Sequence, residues 1–358
     1  MKEFVHDTPA SRVVFGAGAL SQVLAEVTRL GGTSVLLIGD RAAKAYADQV
    51  ADSLGGRLAA RIDDVVMHVP VEAAAAATAQ AVEYGADLVV CLGGGSATGM
   101  AKVVAKETSL PVLAIPTTYA GSEMTPIWGL TEGHRKTTGR DPRVLPRTVV
   151  YDPVLTVGLP VDVSAASGMN ALAHCVEGLY ARTATPVSAV LAEEGVRALA
   201  DALPRVVADP TDVGARGDAL YGAWLAGWVL GNSGMGVHHK VCHVLGGAYD
   251  LPHAGLHSAV LPYATAFNAS YAPEAMRRAA RALDADDPPG ALWDLAAAIG
   301  APTSLAAVGF LRTDADQAAS IVAGSPPDNP RPVDIDGIRE LLLAAYDGLR
   351  PRGTGTPH

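Results

Sequence analysis

Short aliphatic runs alternate with longer Ala-rich segments over the first half of the 358-residue chain. Residues 34–38, 87–92 and 112–115 are the clearest runs, and residues 41–54 and 97–107 have the composition of helices. Because parallel strands are buried on both faces, their sequences are continuous apolar runs rather than alternating ones. The pattern therefore predicts an α/β domain built on a parallel sheet with crossover helices.

The pattern changes after the Asp152-Pro153 pair, where strand signals nearly vanish and Ala- and Leu-rich segments continue to the C-terminus. Breaks between helices are expected near five prolines: Pro204, Pro210, Pro252, Pro273 and Pro288. Residues 119–146, rich in Gly, Thr, Pro and Arg, are predicted to form a hairpin or a long functional loop. We expect two domains, an α/β domain over 1–157 and an all-α domain over 158–358.

Composition narrows the class of partner. The formal charge of −10 argues against nucleic acid and anionic membrane, because both need a concentrated basic face. Cys91, Cys175 and Cys242 cannot all pair, and the N-terminus has no apolar signal core, so a cytoplasmic location is expected. Residues 219–237 are uncharged, but Asn232 and several glycines interrupt them, which favours a buried helix and a glycine-rich turn over a membrane span.

A glycine segment lies between a predicted strand and a predicted helix. Gly93, Gly94 and Gly95 let a phosphate approach the backbone, and the N–H groups of a helix start bind anions. Ser96 is expected to cap that helix. The segment predicts a pyrophosphate-binding loop, with a tight turn that binds no ligand as the alternative. Asp40 ends another predicted strand and is expected either to bind an adenosine ribose or to cap a helix.

Two other loops bear on the cofactor. Gly16-Ala-Gly18 is similar to a dinucleotide fingerprint but lacks its third glycine, so we interpret it as a structural turn. Thr117, Thr118 and Ser122 follow the next predicted strand and offer hydroxyl groups to a ribose, a nicotinamide or a substrate.

Histidines concentrate in short segments of the second half. Asn170 and His174 are four residues apart in a predicted helix, as are His239 and His243, so each pair lies on one helix face. His253 follows after a short loop. Imidazoles from two helices and a loop are a common way to build a metal site. A hydrogen-bonding network without catalysis is the alternative.

The residue at position 170 decides what this cluster can bind. A carboxylate there would complete a ligand set for Fe²⁺ or Zn²⁺, whereas the amide of Asn170 brings no charge to offset a divalent cation. We therefore predict a degenerate metal site with low metal affinity at Asn170, His174, His239 and His253.

Five motifs together resemble the maleylacetate reductases, a branch of the iron-containing alcohol dehydrogenase family. They are GGGSATGMAK at 93–102, IPTTYAGSEMTPIWGLTEG at 115–133, KTTGRDPRVLPRTVVYDP at 136–153, GMNALAHCVE at 168–177 and GMGVHHKVCHVLGG at 234–247. The resemblance covers nearly the whole chain. It implies a Rossmann-like N-terminal domain that binds NADH or NADPH and an all-α C-terminal domain, the architecture shared with dehydroquinate synthase.

The resemblance also implies an activity. Maleylacetate reductases reduce a conjugated C=C bond, giving 3-oxoadipate, late in the bacterial breakdown of hydroxyquinol-type aromatic compounds. A homodimer is the family expectation. Metal-dependent relatives hold their metal at the positions of Asn170, His174, His239 and His253, and the branch that this chain resembles works without it. We therefore expect no metal, or Fe or Zn if the degenerate site binds one.

Roles for individual residues follow from the resemblance and the expected chemistry. His243 and His253 are expected to hydrogen-bond the developing oxyanion and to supply a proton, with His239 and Lys240 as further catalytic candidates. The substrate-binding candidates are Tyr119, Arg140, His174 and His257, with Arg143 as a second arginine. The cofactor-binding candidates are Asp40, Gly93, Gly94, Gly95, Ser96, Thr117, Thr118, Ser122 and Lys136. Because a carboxylate repels a 2′-phosphate, Asp40 favours NADH.

Three positions depart from that branch. Gly255 and Leu256 stand where Glu-Thr is usual, and Tyr263 replaces a common histidine, so a related unsaturated oxo-acid is an alternative substrate. A metal-dependent alcohol dehydrogenase or carbonyl reductase is a second alternative, against which Asn170 speaks. A lyase or cyclase that recycles bound NAD is a third, and a binding protein without catalysis is a fourth.

Overall fold

The computed structural model describes residues 11–66, 69–133 and 135–353, which fall into two compact units. The sheet unit runs to Leu159 and also includes Thr211–Leu220, and the helical unit comprises Pro160–Pro210 and the chain from Tyr221. The strands are β1 Arg12–Phe15, β2 Val35–Gly39, β3 Leu58–Ile62, β4 Leu88–Gly93, β5 Val112–Pro116, β6 Ile127–Glu132, β7 Arg135–Arg140 and β8 Thr148–Tyr151. The helices are α1 Val23–Arg29, α2 Lys44–Leu54, α3 Val71–Glu83, α4 Gly95–Thr108, α5 Val161–Tyr180, α6 Pro186–Ala208, α7 Val213–Asn232, α8 Val237–Tyr249, α9 His253–Asn268, α10 Pro273–Leu283, α11 Pro288–Ala298, α12 Ala315–Gly324 and α13 Ile335–Asp347.

Six strands form a parallel sheet in the order β1-β8-β5-β4-β2-β3. Every residue of β2, β4 and β5 is buried. Val35 and Leu37 enter one hydrophobic core, whereas Leu36 and Ile38 enter a second core, because successive side chains of a strand point to opposite faces. Burial on both faces explains the continuous apolar runs, and the prediction of a parallel α/β domain is confirmed.

Strands β6 and β7 form a separate antiparallel hairpin, which confirms the hairpin expected within residues 119–146. Its first strand is held by Lys102, a fully buried residue of α4. The Nζ of Lys102 donates to the carbonyl of Ile127 and to Oγ1 of Thr125, both at 2.9 Å, and to the carbonyl of Ser122. Four oxygens, counting the Ser122 hydroxyl at 3.2 Å, surround this buried amine.

The turn after β1 is structural, as expected for Gly16-Ala-Gly18. Both carboxylate oxygens of Asp152 face it, one accepting from the Gly18 N–H at 3.1 Å and the other from the Leu20 N–H at 3.0 Å. The carboxylate therefore occupies the backbone donors that a dinucleotide phosphate would require.

The helical unit confirms the prediction of an all-α second half, since no strand occurs among the described residues after β8. One expected break is wrong, because Pro204 lies inside α6. Its neighbours Leu199, Leu203 and Val206 are fully buried, and their packing outweighs the hydrogen bond that a proline removes. Within the described part of the chain, no helix is both long and apolar enough to cross a bilayer.

Replacing Lys102 by Met should reduce the free energy of unfolding by about 1–3 kcal/mol, because buried carbonyls at the hairpin lose their donor. Lys106→Met is the matched control on the same helix, where the amine is part-exposed above the Trp128 ring. Its cost should stay below about 1 kcal/mol. Urea denaturation of both variants measures the difference, and equal losses would contradict the assignment.

The difference in stability between the wild type and Lys102→Met should depend on pH. Burial lowers the pKa of Lys102 from 10.5 to about 7, with attraction by Glu123 offsetting part of the effect. Between these values the unfolded chain binds more protons than the folded chain, so the stability of the wild type should rise with pH relative to Lys102→Met.

Candidate active site

The glycine segment of the sheet unit joins β4 to α4. Gly94 is the N-cap of α4, and no side chain of the described residues caps this helix start. The prediction that Ser96 caps the helix is wrong, because the extended cap position falls on Gly94 and Ser96 lies in the first helical turn. A helix start without a side-chain acceptor leaves its positive end for an anion.

Asp40 lies directly beside this segment. Its N–H donates to the carbonyl of Leu92 at 2.9 Å, and its carboxylate accepts the N–H of Ala42 at 3.1 Å. The carboxylate thus caps the short 3₁₀ helix Arg41–Ala43. Asp40 therefore acts as a helix cap, which was one of the two roles expected for it. Its other expected role, binding of an adenosine ribose, stays a prediction.

The hydroxyl-bearing candidates after β5 have different environments. Thr117 is buried and its N–H donates to the Gly93 carbonyl at 3.1 Å, while the side chain of Thr118 lies against Gly94. Ser122 is bound to Lys102 through both its hydroxyl and its carbonyl. The side chain of Lys136 lies outside the described part of the structure.

The histidine cluster belongs entirely to the helical unit. It consists of Asn170, His174 and Glu177 on α5, His238, His239 and His243 on α8, and His253 and His257 on α9. His174 stacks on His239 with ring centroids 5.0 Å apart, and His257 lies 4.8 Å from His239 and 4.4 Å from His253. The expected convergence is confirmed, but His253 begins a helix rather than lying in a loop, because Pro252 provides the N-cap of α9.

The cluster has a buried end and an exposed end. His174, His239 and His257 are buried, whereas His243 and His253 are exposed. The ring of His243 lies 6.0 Å from that of His239 and 6.1 Å from that of His253. The Nε2 atoms of His253 and His257 are 3.2 Å apart, so one ring donates and the other accepts. His243 and His253 are therefore the histidines of the cluster that solvent reaches.

Glu177, one turn beyond His174 on α5, joins that helix to the start of α8. Its side chain is fully buried, and its carboxylate accepts the backbone N–H groups of Gly236, His238 and His239 at 3.1, 2.9 and 3.3 Å. It also bonds to Nδ1 of His239. The carboxylate therefore holds both the first turn of α8 and one of its imidazoles.

Burial controls the charge of the cluster. It lowers the pKa of His174 and of His257 well below the usual range, and repulsion between neighbouring imidazoles adds to the effect. Burial also lowers the pKa of His239, against the attraction of Glu177. For Glu177 itself burial opposes ionisation, but His239 and hydrogen bonds from both His238 and His239 outweigh it and lower the pKa. At neutral pH the buried imidazoles of His174, His239 and His257 are uncharged.

Four buried polar atoms in the cluster have no hydrogen-bond partner among the described residues. They are Oδ1 of Asn170, Nδ1 of His174, Nε2 of His239 and Nδ1 of His257. Buried polar atoms usually have a hydrogen-bond partner, so these four could bind a ligand, and a metal ion is one candidate. The donors are neutral amide and imidazole groups, however, and the carboxylate of Glu177 is already used by N–H groups. Ring nitrogens of His238, His239 and His257 lie within 4.8 Å of one another, as the ligands of a three-histidine metal site do, but the set lacks the carboxylate that would offset the charge of a divalent cation.

The remaining candidates lie in varied surroundings. Lys240 is half-buried on α8, and Arg140 is exposed at the end of β7. Arg143 pairs with Asp141 at 2.6 Å on the surface, as a solvated charge does. The hydroxyl of Tyr119, a buried residue, accepts from Arg216 at 3.3 Å.

The three positions that depart from the resembled branch are packed into the fold. The Tyr263 hydroxyl donates to the carbonyls of Thr303 and Leu349 at 3.2 and 3.1 Å, and Leu256 is fully buried in the hydrophobic core. A side-chain carbon added to Gly255 would lie 3.0 Å from Val308. These contacts lie within the core of the helical unit.

Sequence reasoning missed Glu177 and His238. Glu177 follows His174 by three residues in the motif GMNALAHCVE, a spacing that places both side chains on one helix face. That spacing was the available signal. His238 precedes His239 and lies fully buried, with Nε2 3.1 Å from the carbonyl of His257.

Comparison with known proteins defines the class. The model for iron-containing alcohol dehydrogenases matches residues 10–153, and the C-terminal model of the Fe-containing alcohol dehydrogenase family matches residues 164–346. The chain belongs to the iron-containing alcohol dehydrogenase family, and it is an oxidoreductase. The family is NAD(P)-dependent.

Within the family, the chain is similar to maleylacetate reductases. The maleylacetate reductase of Burkholderia cepacia is 51% identical over 351 residues, which are 98% of this chain and 100% of that protein. The maleylacetate reductase of Sphingobium indicum is 50% identical over 349 residues, 98% of this chain and 99% of that protein. The crystal structure of maleylacetate reductase from Rhizobium sp. strain MTP-10005 is 46% identical, with a TM-score of 0.95 over 98% of this chain and 100% of that one. The family resemblance read from the motifs is confirmed.

The glycine segment provides a test of packing. Gly93 has φ +149°, and an added Cβ would lie 2.7 Å from Cβ of Asp40 and 2.9 Å from Cβ of Ala97. Gly93→Ala should therefore lower the free energy of unfolding by about 1–3 kcal/mol. The nearest atom to an added Cβ at Gly95 is Cβ of Ala120, at 3.6 Å, so Gly95→Ala should change stability by less than about 1 kcal/mol. Denaturation midpoints compare the two, and a harmless Gly93→Ala would disprove the tight fit.

Proposed function

We propose that this protein reduces the conjugated C=C bond of maleylacetate with NADH, giving 3-oxoadipate in the breakdown of aromatic compounds, without a metal. One observation carries the proposal: the histidine cluster keeps His174, His239 and His253 but has Asn170 at the position where a carboxylate would complete a metal site. Identity of about half the residues to maleylacetate reductases over almost the whole chain supports the choice of substrate.

In this proposal residues 1–157 form the cofactor-binding domain, and residues 158–358 form the domain that carries the catalytic histidines. A side chain at Gly93 would collide with its neighbours, so the backbone there forms a close-packed turn that leads into the uncapped start of α4. This arrangement suits a pyrophosphate. The carboxylate of Asp40 beside it disfavours the 2′-phosphate of NADPH, which supports NADH.

The substrate is an enone flanked by two carboxylates. Bound NADH would supply a hydride to the alkene carbon next to one carboxylate, which leaves an enolate whose charge lies on the ketone oxygen. A proton then adds to the adjacent carbon, so one hydride and one proton saturate the double bond. The residues of the protein must stabilise the enolate and provide that proton.

His243 and His253 are the donors in this scheme, because they form the exposed end of the cluster. An imidazole N–H aimed at the enolate oxygen does the electrostatic work that a Lewis-acid metal does in an alcohol dehydrogenase. Lys240, on the same helix as His243, is a further catalytic candidate. Arg140, Tyr119, His174 and His257 are the proposed contacts of the substrate carboxylates and ketone.

The cellular location and the oligomeric state are proposed on separate grounds. All three cysteines are buried and unpaired, which supports a reducing, cytoplasmic location. A homodimer is proposed from the family alone.

Mixing the purified protein with NADH and maleylacetate should cause stoichiometric loss of NADH absorbance, and EDTA should leave the rate unchanged. The physical reason is that the amide of Asn170 stands in place of the anionic ligand that would offset the charge of a divalent cation. Loss of turnover in EDTA, with recovery on adding Fe²⁺ or Zn²⁺, would contradict the metal-free mechanism. Oxidation with another unsaturated oxo-acid but not with maleylacetate would keep the chemistry and change the substrate.

Asn170→Asp is the matched variant for this experiment. The added carboxylate should make the cluster bind Zn²⁺ measurably more tightly than the wild type, because it supplies the missing anionic ligand. Metal content after equilibrium dialysis reads this out without any assay of activity.

His243→Ala and His253→Ala should each lower kcat by at least ~10²-fold, the usual scale for a lost acid or oxyanion donor. Both side chains are exposed, so the variants should fold as the wild type does. Circular dichroism supplies that control, and rates close to wild type in both variants would remove the exposed histidines from the chemistry.

A further inference from the structure

The contacts of Glu177 determine where His239 carries its proton. Among the described residues, the hydrogen bonds of the carboxylate come from potential donors: the N–H groups of Gly236, His238 and His239, Nδ1 of His239, and the Tyr180 hydroxyl at 3.3 Å. The ring Nδ1 of His238 lies farther off, 3.8 Å from the carboxylate and 3.4 Å from Nδ1 of His239. An ionised carboxylate can only accept. The hydrogen bond to His239 therefore requires a proton on Nδ1.

We infer that Glu177 is a positioning residue that fixes His239 as the Nδ1–H tautomer and so leaves its Nε2 as a hydrogen-bond acceptor. That Nε2 is buried and has no partner among the described residues. A doubly protonated ring would place an unpaired N–H in the same buried spot, which costs more than an unpaired acceptor and also carries charge. The stacked ring of His174, with centroids 5.0 Å away, restricts reorientation of the imidazole.

If the proposed function holds, the histidines of the cluster have different roles, some as hydrogen-bond donors and His239 as an acceptor. His239 cannot donate from Nε2 to an enolate oxygen, so that task is left to His243 and His253. The Nε2 of His239 instead accepts from a hydroxyl group, either an enol form of the substrate or a water held at the buried end. Removing Glu177 should weaken this acceptor even though the carboxylate never touches the substrate. Carboxylates that orient a metal-bound imidazole in this way contribute about 10–100-fold in activity, and we expect a loss of the same order here.

A purely structural role for Glu177 is the competing explanation, because the same carboxylate holds the first turn of α8. The chain offers a matched control in Asn329, whose Oδ1 accepts the N–H of Val237 in that turn at 3.2 Å. Its other hydrogen bonds within the described residues are to Asn268 and to the carbonyl of Arg331. Glu177→Gln and Asn329→Ala both loosen the helix start. Only Glu177→Gln changes the partner of Nδ1, because an amide NH₂ set among N–H groups must face at least one donor.

Long-range ¹H–¹⁵N correlation spectra of the full chain labelled with ¹⁵N-histidine distinguish the protonated nitrogen of each ring, with His239→Gln assigning the signals. The wild type should show His239 protonated at Nδ1 and unprotonated at Nε2. Glu177→Gln should move population to the Nε2–H tautomer and lower kcat by about 10–100-fold with a smaller change in KM. Asn329→Ala should leave the tautomer as it is in the wild type.

A wild-type His239 protonated at Nε2 would overturn the inference, and so would equal tautomer shifts in Glu177→Gln and Asn329→Ala. The wild-type spectrum tests the tautomer even if Glu177→Gln fails to fold. The spectra need neither NADH nor substrate, so a protein inactive on maleylacetate would refute the proposed function while leaving the tautomer assignment standing.

Discussion

The burial of one carboxylate organises the candidate active site. Glu177 lies in the interior of the helical unit, where an ionised side chain is tolerated only if its lone pairs are satisfied. Backbone N–H groups at the start of α8 do this, and such groups are both free of intrahelical partners and close to the positive end of the helix dipole. The desolvation cost of the charge is offset by fixing a helix start, and His239 is fixed with it.

In the sheet unit a buried amine has a comparable role. Lys102 is buried in α4, and oxygens from the segment that leads into β6 surround its amine. In both units a buried ionisable side chain holds a segment whose position neither helical nor strand periodicity determines. The segment after β5 carries Thr117, Thr118 and Ser122, and α8 carries His239 and His243, so the candidate residues of each unit depend on a distant ionisable group.

Local periodicity explains what could be predicted from sequence. Burial of both faces produces the apolar runs of β2, β4 and β5, and a spacing of four residues places Asn170 with His174 on one face. Contacts between distant segments leave no such periodic trace. Glu177 reaches the ring of His239 across 62 positions, and Lys102 reaches Thr125 across 23. The helix through Pro204 was missed for the same reason, since it depends on packing partners outside its own sequence.

Position 170 links the electrostatics of the cluster to its chemistry. Burial opposes a proton on His238, but Cys242 and Glu177 raise its pKa, so the charge of Glu177 has local compensation. An aspartate at 170 would add a second carboxylate among neutral imidazoles, and only a cation could compensate it. With Asn170 the resting cluster needs no further positive charge. On the proposed mechanism, negative charge arises only on the substrate during the reaction, at the exposed end where imidazole N–H groups can meet it.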